Sequence, residues 1–251
     1  MNIVQTFYDS LAGEYDKLFA DWVSSSREQG LLLDRLFADK GFDQSARVLD
    51  CACGIGTQAI GLAAMGYDVT GSDISRPELE QAAERAARQG VSLCLAQADF
   101  RALEEIFPQS FDIVIAMDNA LPHMLSDEDL DRAVGSIVGR LRPGGIFAAS
   151  IRDYDSLLAD RPPYSPPYIH GSAADRRVSF QTWDWHGDNY VLTQYIIDDG
   201  AVLGVSKYVC EYRATRRNEL TRLLRDHGCG EVDWLMPPDS GFYQPIVIAR
   251  R

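Results

Sequence analysis

The chain has 251 residues, 46% hydrophobic and 24% charged, with 24 Lys+Arg against 37 Asp+Glu and a formal charge of −13. This apolar content excludes intrinsic disorder, and the length suits one α/β domain carrying an insertion. The acidic balance argues against nucleic-acid phosphates or an anionic membrane surface as main partner, and no apolar run reaches the ~18 residues of a membrane span.

The opening MNIVQTFYDSLAGEYD lacks a basic flank with an apolar core, so it reads as a polar, aromatic-dotted arm rather than a signal peptide. Residues 27–40 have helical spacing (Leu31, Leu32, Leu36, Phe37) and stop near Gly41. An alternation of element types follows. Strands are predicted at 47–50, 68–71, 92–97, 111–117 and 146–151, with helices at 57–65, from Ser75 to Gly90, and from Ser126 to the Pro143-Gly144-Gly145 stop. FDIVIAM at 111–117 is nearly continuously apolar, as in a strand covered on both faces.

Residues 160–171 hold two Pro-Pro pairs and read as an extended loop. Strand-like runs at 177–185, 190–198 and 202–213 are parted by Gly187-Asp188-Asn189 and Asp199-Gly200 turns. A helix at 215–227 and strands at 230–235 and 244–249 close the chain. Strand–helix repetition implies right-handed crossovers, so the predicted class is α/β: a doubly wound, mostly parallel seven-stranded sheet with an antiparallel β insertion as a lid. The expected divisions are 1–40 as an arm and helix over the site, 41–154 as the binding core, 155–213 as the lid, and 214–251 as the closing helix and hairpin.

Cys51, Cys53, Cys94, Cys210 and Cys229 form no CxxC pair and no His-containing ligand spacing, so no metal is expected. Free thiols point to a reducing, cytoplasmic setting. Arg216, Arg217, Arg222 and Arg225 read as the solvated face of one helix.

The richest stretch is Val48-Leu49-Asp50-Cys51-Ala52-Cys53-Gly54-Ile55-Gly56-Thr57, a strand joined to a helix through two glycines. Glycine lets a ligand lie against backbone and permits positive φ, but the same pair also makes an ordinary tight turn. Three acids add weight. Asp50 ends the first strand, where it can orient the loop and reach an ammonium group. Asp73 ends the second strand, 19 residues after Gly54, the spacing at which a carboxylate takes ribose hydroxyls. Asp99 follows the third strand, where it can accept from an adenine amino group. Gly54-x-Gly56-x-x-Ala59 also fits a nicotinamide dehydrogenase fingerprint, but no second glycine fingerprint follows, and Asp50 would repel a pyrophosphate.

The D-x-x-x-G-x-G run, the acids after strands two and three, and Leu141-Arg142-Pro143-Gly144-Gly145 resemble class I S-adenosylmethionine-dependent methyltransferases. Asp118-Asn119-Ala120-Leu121-Pro122-His123-Met124 and Ile151-Arg152-Asp153-Tyr154-Asp155 are similar to segments of the glycine/sarcosine N-methyltransferases. The resemblance implies S-adenosyl-L-methionine as cofactor and a small-molecule acceptor, with a homo-oligomer compatible. It places Asp50, Cys51, Ala52, Gly54 and Gly56 near the methionine moiety, Asp73 and Ile74 at ribose, and Asp99 and Phe100 at adenine. Met117 and Asn119 would complete that site, under an arm with Tyr8, Tyr15, Trp22 and Arg27.

On the acceptor side the resemblance gives Arg152 the role of carboxylate clamp, with Tyr154, Tyr168, Trp185 and His123 as further candidates. Asp153 stands where the family has Asn, and Pro122 precedes the histidine. His123, Asn119 and Tyr15 are the candidate catalytic residues. His123 can position the acceptor, take a proton, or satisfy a strand-end carbonyl. An amine acceptor is favoured over a hydroxyl, which would need a base; a silent cofactor-binding subunit is the remaining alternative.

Overall fold

The computed structural model describes residues 3–251. Its central sheet comprises β1 (Arg47–Asp50), β2 (Asp68–Asp73), β3 (Cys94–Gln97), β4 (Phe111–Ala116), β5 (Leu141–Ser150), β10 (Glu231–Leu235) and β11 (Ile246–Arg250). They lie in the order β10-β11-β5-β4-β1-β2-β3, with β11 antiparallel to both β5 and β10 and the rest parallel. Crossovers leave β1 toward β2 on one side, and the chain returns to β4 on the other. The crevice between the carboxyl ends of β1 and β4 is therefore the switch point at which open α/β sheets bind ligands.

Strand alternation sorts the core into two layers. Leu49, Val114, Ala116 and Phe147 face α5 (Asp127–Gly139) and α7 (Arg217–Asp226), while Val48, Ile113, Ile115 and Ile146 face α2 (Trp22–Asp39) and α3 (Thr57–Ala64). Ile113, Val114 and Ile115 are fully buried, each worth roughly 1.5–3 kcal/mol relative to exposure. Against the layer of α2 and α3, the two helices meet backbone to backbone: a Cβ on Gly30 would lie 2.7 Å from the carbonyl carbon of Gly61.

The insertion forms a second sheet, β6 (Tyr168–His170), β7 (Arg176–His186), β8 (Asn189–Asp199) and β9 (Leu203–Arg213), antiparallel throughout. One face buries Tyr190, Leu192, Ile196, Cys210 and Tyr212 against Phe7 and Leu11 of α1 (Ile3–Leu11) and Tyr154 of α6 (Tyr154–Asp160).

Several elements depart from the sequence expectation. The arm, to which the sequence assigned no element, holds α1 and a 3-10 turn at Tyr15–Leu18, and α2 starts at Trp22 rather than near residue 27, capped by the Asp21 carboxylate on the N–H groups of Val23 and Ser24. The expected 160–171 loop holds the short strand β6, because the Pro-Pro pairs fall before it and leave Tyr168–His170 free to pair with β7. The helix before Pro143 ends at Gly139, and β5 starts at Leu141, its Pro-Gly-Gly absorbed as an irregularity against β4. A single helical turn, α8 (Pro237–Ser240), lies between β10 and β11. No helix among the described residues is long and apolar enough to cross a membrane.

Candidate active site

A cavity of about 340 Å3 opens at the switch point beneath α1. The β1–α3 loop forms its floor. Gly54 takes φ +50° and its N–H donates to Asp73 Oδ2 at 2.9 Å, while Asp73 Oδ1 accepts from the Ser75 N–H at 2.9 Å. Asp73 thus fixes the loop as well as facing the cavity, and burial raises its carboxyl pKa against those bonds. Asp50 lies one layer below the lining. It is fully buried, Oδ1 accepts weakly from the Ala52 N–H at 3.4 Å, and Oδ2 has no partner. Burial, with the charges of Asp73 and Asp118, pushes its pKa to about 8.

Glu78, in the first turn of α4 (Arg76–Arg88), was legible only as a capping-box acid. Its backbone N–H does bond Ser75 Oγ at 3.3 Å, but the carboxyl joins the lining, buried, with Oε1 unpartnered. Burial, then Asp73 and Asp9, drives its pKa well above the ordinary value. Asp118, unassigned from sequence, also lines the cavity: it sits at φ +55°, and Tyr243 OH and Gln58 Nε2 each donate to it at 2.7 Å. Nothing periodic marks it; the signal lay in a polar Asp-Asn pair closing an otherwise apolar strand.

At the far end Asp99 and Phe100 face the cavity. Burial alone would raise the Asp99 carboxyl, but the Arg101 guanidinium at 2.6 Å and the Arg101 N–H at 2.9 Å hold it below the ordinary range. Cys51, Ala52, Ile74, Met117 and Tyr15 complete the lining. Burial and the charge of Asp50 raise the Cys51 and Cys53 thiols well above their usual values, so both are inert fillers. The acids Asp73, Glu78, Asp99, Asp118 and Asp129 outnumber the cation Arg101 around this cavity. A nucleoside carrying positive charge suits such a wall, and the unpartnered Asp50 and Glu78 oxygens await donors.

Other named residues fall elsewhere. Trp22 is buried beside the loop, donating to Thr57 Oγ1 at 3.0 Å beneath the Arg85 guanidinium, and does not line the cavity. Arg27 lies on the exposed side of α2, since the helix turns its neighbours Ser26 and Gly30 inward instead. Gly56 caps α3 at φ +89°, where a Cβ would meet Ile60 and Ala82; it shapes the turn rather than the cavity wall. Tyr168 is exposed on the edge strand, and Trp185 donates to the Pro162 carbonyl at 2.9 Å while packing on Tyr190.

Asn119 and Tyr154 form a buried knot. Asn119 Nδ2 and the Tyr154 hydroxyl are 3.0 Å apart, Asn119 Oδ1 accepts the Arg152 N–H at 3.0 Å, and Tyr154 OH lies 2.9 Å from Tyr190 OH. This knot positions Arg152. Its Nη1 donates to Tyr190 OH at 2.6 Å and its Nη2 to Gln181 Oε1 at 2.9 Å, with Trp183 at 5.1 Å and Tyr212 at 5.5 Å from the guanidinium carbon. Among the described residues Arg152 has no acidic partner, although an arginine keeps its charge in any protein environment.

His123 lines the cavity, with Nε2 2.8 Å from Tyr8 OH, Nδ1 3.6 Å from Cys210 Sγ, and its ring 4.1 Å from Tyr212. Burial and the nearby Arg152 charge lower its pKa to about 3. It is neutral at physiological pH and a poor base, which favours the positioning role over proton transfer.

The methyltransferase-domain family matches residues 48–145, spanning β1 through the start of β5. The glycine/sarcosine N-methyltransferase of Halorhodospira halochloris is 24% identical over 229 residues, 91% of this chain and 81% of that protein. An S-adenosylmethionine-dependent methyltransferase from Clostridium acetobutylicum superposes with TM-score 0.75 at 18% identity, covering 97% of each chain. The S-adenosylmethionine-bound amino pentose methyltransferase CalS10 superposes at 0.73 with 17% identity, over 90% of this chain and 92% of that one.

Together these comparisons support a class I S-adenosylmethionine-dependent methyltransferase. In this methyltransferase the loop carrying Asp50, Gly54 and Gly56 lies within the matched span, as do Asp73, Glu78, Asp99 and Asp118. Arg152, Gln181 and Tyr190 lie outside it, in the part where the methyltransferase's own insertion meets the core.

Proposed function

We propose that this methyltransferase acts on the amino nitrogen of a small substrate that carries a carboxylate, with Arg152 as its anchor. The observation that carries the reading is a guanidinium held by Tyr190 and Gln181 near the cavity's His123, with no acidic partner among the described residues. Two of its five N–H bonds are used there, which leaves donors for a bidentate carboxylate. Names of relatives support the same class: glycine/sarcosine N-methyltransferases match over most of this chain's length.

S-adenosylmethionine, when bound, supplies a methyl group already activated on sulfonium, which passes in line to the acceptor as the carbon–sulfur bond breaks. Asp73, with Glu78 beside it, would take the ribose hydroxyls; Asp99 and Phe100 would take the adenine; Asp50 and Asp118 would face the ammonium end. The protein's own work is alignment and exclusion of water. Correct placement of two reactants is worth about 7–11 kcal/mol in well-oriented systems. α1 roofs the cavity, tied on one side by Tyr8 to His123 and on the other by Ser75 Oγ donating to Asp9 at 2.7 Å.

Once its ammonium has lost a proton to solvent, an amine attacks through its lone pair and sheds the product's extra proton afterwards, whereas a hydroxyl must lose its proton as it attacks. His123, with a pKa near 3, does not take that proton at neutral pH, and this favours nitrogen over oxygen. The test is a methyl-transfer screen against glycine, sarcosine, other amino acids, decarboxylated amines and small phenols, read by mass spectrometry. Amino acids should gain methyl groups while their decarboxylated analogues lag by at least 100-fold. Turnover of phenols or decarboxylated amines alone would end the proposal.

A further inference from the structure

The bonds that hold Arg152 can be followed through two amides back to the backbone. Register pairs Gln181 of β7 with Gln194 at the centre of β8, on the sheet face that also carries Tyr190. Gln194 is buried, and its Nε2 donates to the Phe180 carbonyl at 3.1 Å and the Tyr195 carbonyl at 2.9 Å. With both N–H bonds spent on backbone, its Oε1 faces Gln181 and accepts from Nε2 at 2.9 Å. Gln181 is therefore left with Oε1 toward Arg152 Nη2 at 2.9 Å and Trp183 Nε1 at 3.0 Å. A reversed amide would set N–H against N–H at both contacts. Acids do stand by this face, but each has a cation of its own. Glu14 is held by Lys17 at 2.7 Å and by the Tyr208 hydroxyl at 2.7 Å, and Asp198 by Lys17 at 2.7 Å and Arg177 at 3.1 Å.

We infer that the Gln194–Gln181 amide relay is the charge selector of the acceptor site: it gives Arg152 an oxygen to bond without giving it a counter-charge, and so reserves the guanidinium for the substrate's carboxylate. The inference rests on the reading of Arg152 as the carboxylate anchor and adds the residues that decide which charge the anchor accepts. A cation drawn from water and met only by neutral dipoles is costly, and an anion that completes the pair recovers part of that cost. Here the missing anion is the acceptor's. A glutamate at position 181 would have the size and reach of the amide but would take the guanidinium in a charge-assisted pair of its own. The site would then favour an acceptor with no negative charge. Gln181 and Gln194 are positioning residues: the first acts through Arg152, and the second, bonded to backbone and Gln181, acts through the first.

Steady-state kinetics on the full chain with the best amino-acid acceptor and its carboxamide tests this, using Q181E, Q181M and Q194M beside calorimetry of S-adenosylmethionine. The wild type should prefer the amino acid over its amide by about 100-fold in kcat/KM. Q181E should raise the amino acid's KM about 100-fold with kcat within about two-fold, making the amide the better substrate. Q181M and Q194M add no charge; each should raise that KM about ten-fold, with the amino acid still preferred and cofactor affinity unchanged. A purely structural role would instead lower kcat for both acceptors and weaken cofactor binding with it. A wild type indifferent between the two acceptors would remove the Arg152 reading and the relay together. A wild type that discriminates beside a Q181E that discriminates equally would leave the anchor standing and overturn the relay. If Q181E does not fold, wild-type KM values in Q181M and Q194M would overturn it as well.

Discussion

Asp73 carries two jobs on one carboxylate: it accepts from Gly54 and Ser75 N–H groups, and it faces the cavity. Asp73→Asn keeps the size but removes the charge. Hydrogen bonds to a charged group contribute about 1.5–3 kcal/mol, so calorimetry should show S-adenosylmethionine binding weakened roughly 10- to 100-fold. Equal affinity in the two proteins would remove Asp73 from the site.

Asp50 gives a sharper test because its proton is countable. In the free protein its pKa is about 8, so at pH 7 it is mostly protonated. A cationic group arriving beside it favours the carboxylate and expels the proton. Titrations at pH 7 in buffers of different ionisation enthalpy should therefore report proton release on S-adenosylmethionine binding, and Asp50→Asn should lose that release. No buffer dependence would place the ammonium elsewhere. The acids at three successive strand ends were legible in the sequence because each follows an apolar run and precedes a helix or turn. Glu78 and Asp118 were not, since a cap and a strand-end polar pair have ordinary local uses. Only the fold turns their carboxyls into one cavity.

Among the elements, α2 and α3 depend on two missing side chains. A Cβ on Gly61 would run into the Ser26 carbonyl oxygen, and one on Gly30 into the Gly61 backbone. Backbone cannot swing aside as a side chain can. Gly61→Ala should cost roughly 1–3 kcal/mol, which for a chain of this size lowers Tm by about 2–12 °C. Scanning calorimetry checks it, and an unchanged Tm would mean the helices separate freely. Because Thr57 and Gln58 of α3 sit at the cavity wall, cofactor affinity should fall along with stability.

Element identity was readable wherever period and punctuation agreed: FDIVIA is β4, and Ser75-Arg76-Pro77-Glu78 does open α4. It was unreadable in the arm, where α1 is held against β9 of the insertion, with Phe7 edge-on to Tyr208. Those contacts join residues about two hundred positions apart, and nothing local encodes them. The same distance hid the cradle of Arg152, since Gln181 and Tyr190 reach it only after the insertion folds back.

At the scale of the whole molecule, the acidic wall makes the free protein's stability depend on pH. Asp50, Asp73, Glu78 and Asp118 all have raised pKa values, so the folded state holds protons that the unfolded chain has released. Stability from this source falls as pH rises toward and through about 8. His123 acts oppositely, its pKa depressed from 6.5 to about 3, so stability rises with pH across that interval and is flat above it. Between pH 6.5 and 8.5 the loss of the Asp50 proton lowers stability, and Tm should drop. S-adenosylmethionine should offset the drop, giving a larger thermal shift at pH 8.5 than at pH 6.5. A shift of equal size at both would contradict the link between this wall and a cationic ligand.

The anchor for the acceptor remains the centre of the account, and Arg152→Lys addresses it while keeping the charge. Lysine cannot make the paired, planar grip, nor reach Tyr190 and Gln181 as the guanidinium does. Steady-state kinetics with the best amino-acid acceptor, set beside calorimetry of S-adenosylmethionine, is the decisive measurement. The expected result is a KM about 100-fold higher, in line with ~2–5 kcal/mol for breaking a buried charged pair, with cofactor affinity unchanged. A KM equal to the wild type's would show that the carboxylate is held elsewhere, and the proposed acceptor class would go with it.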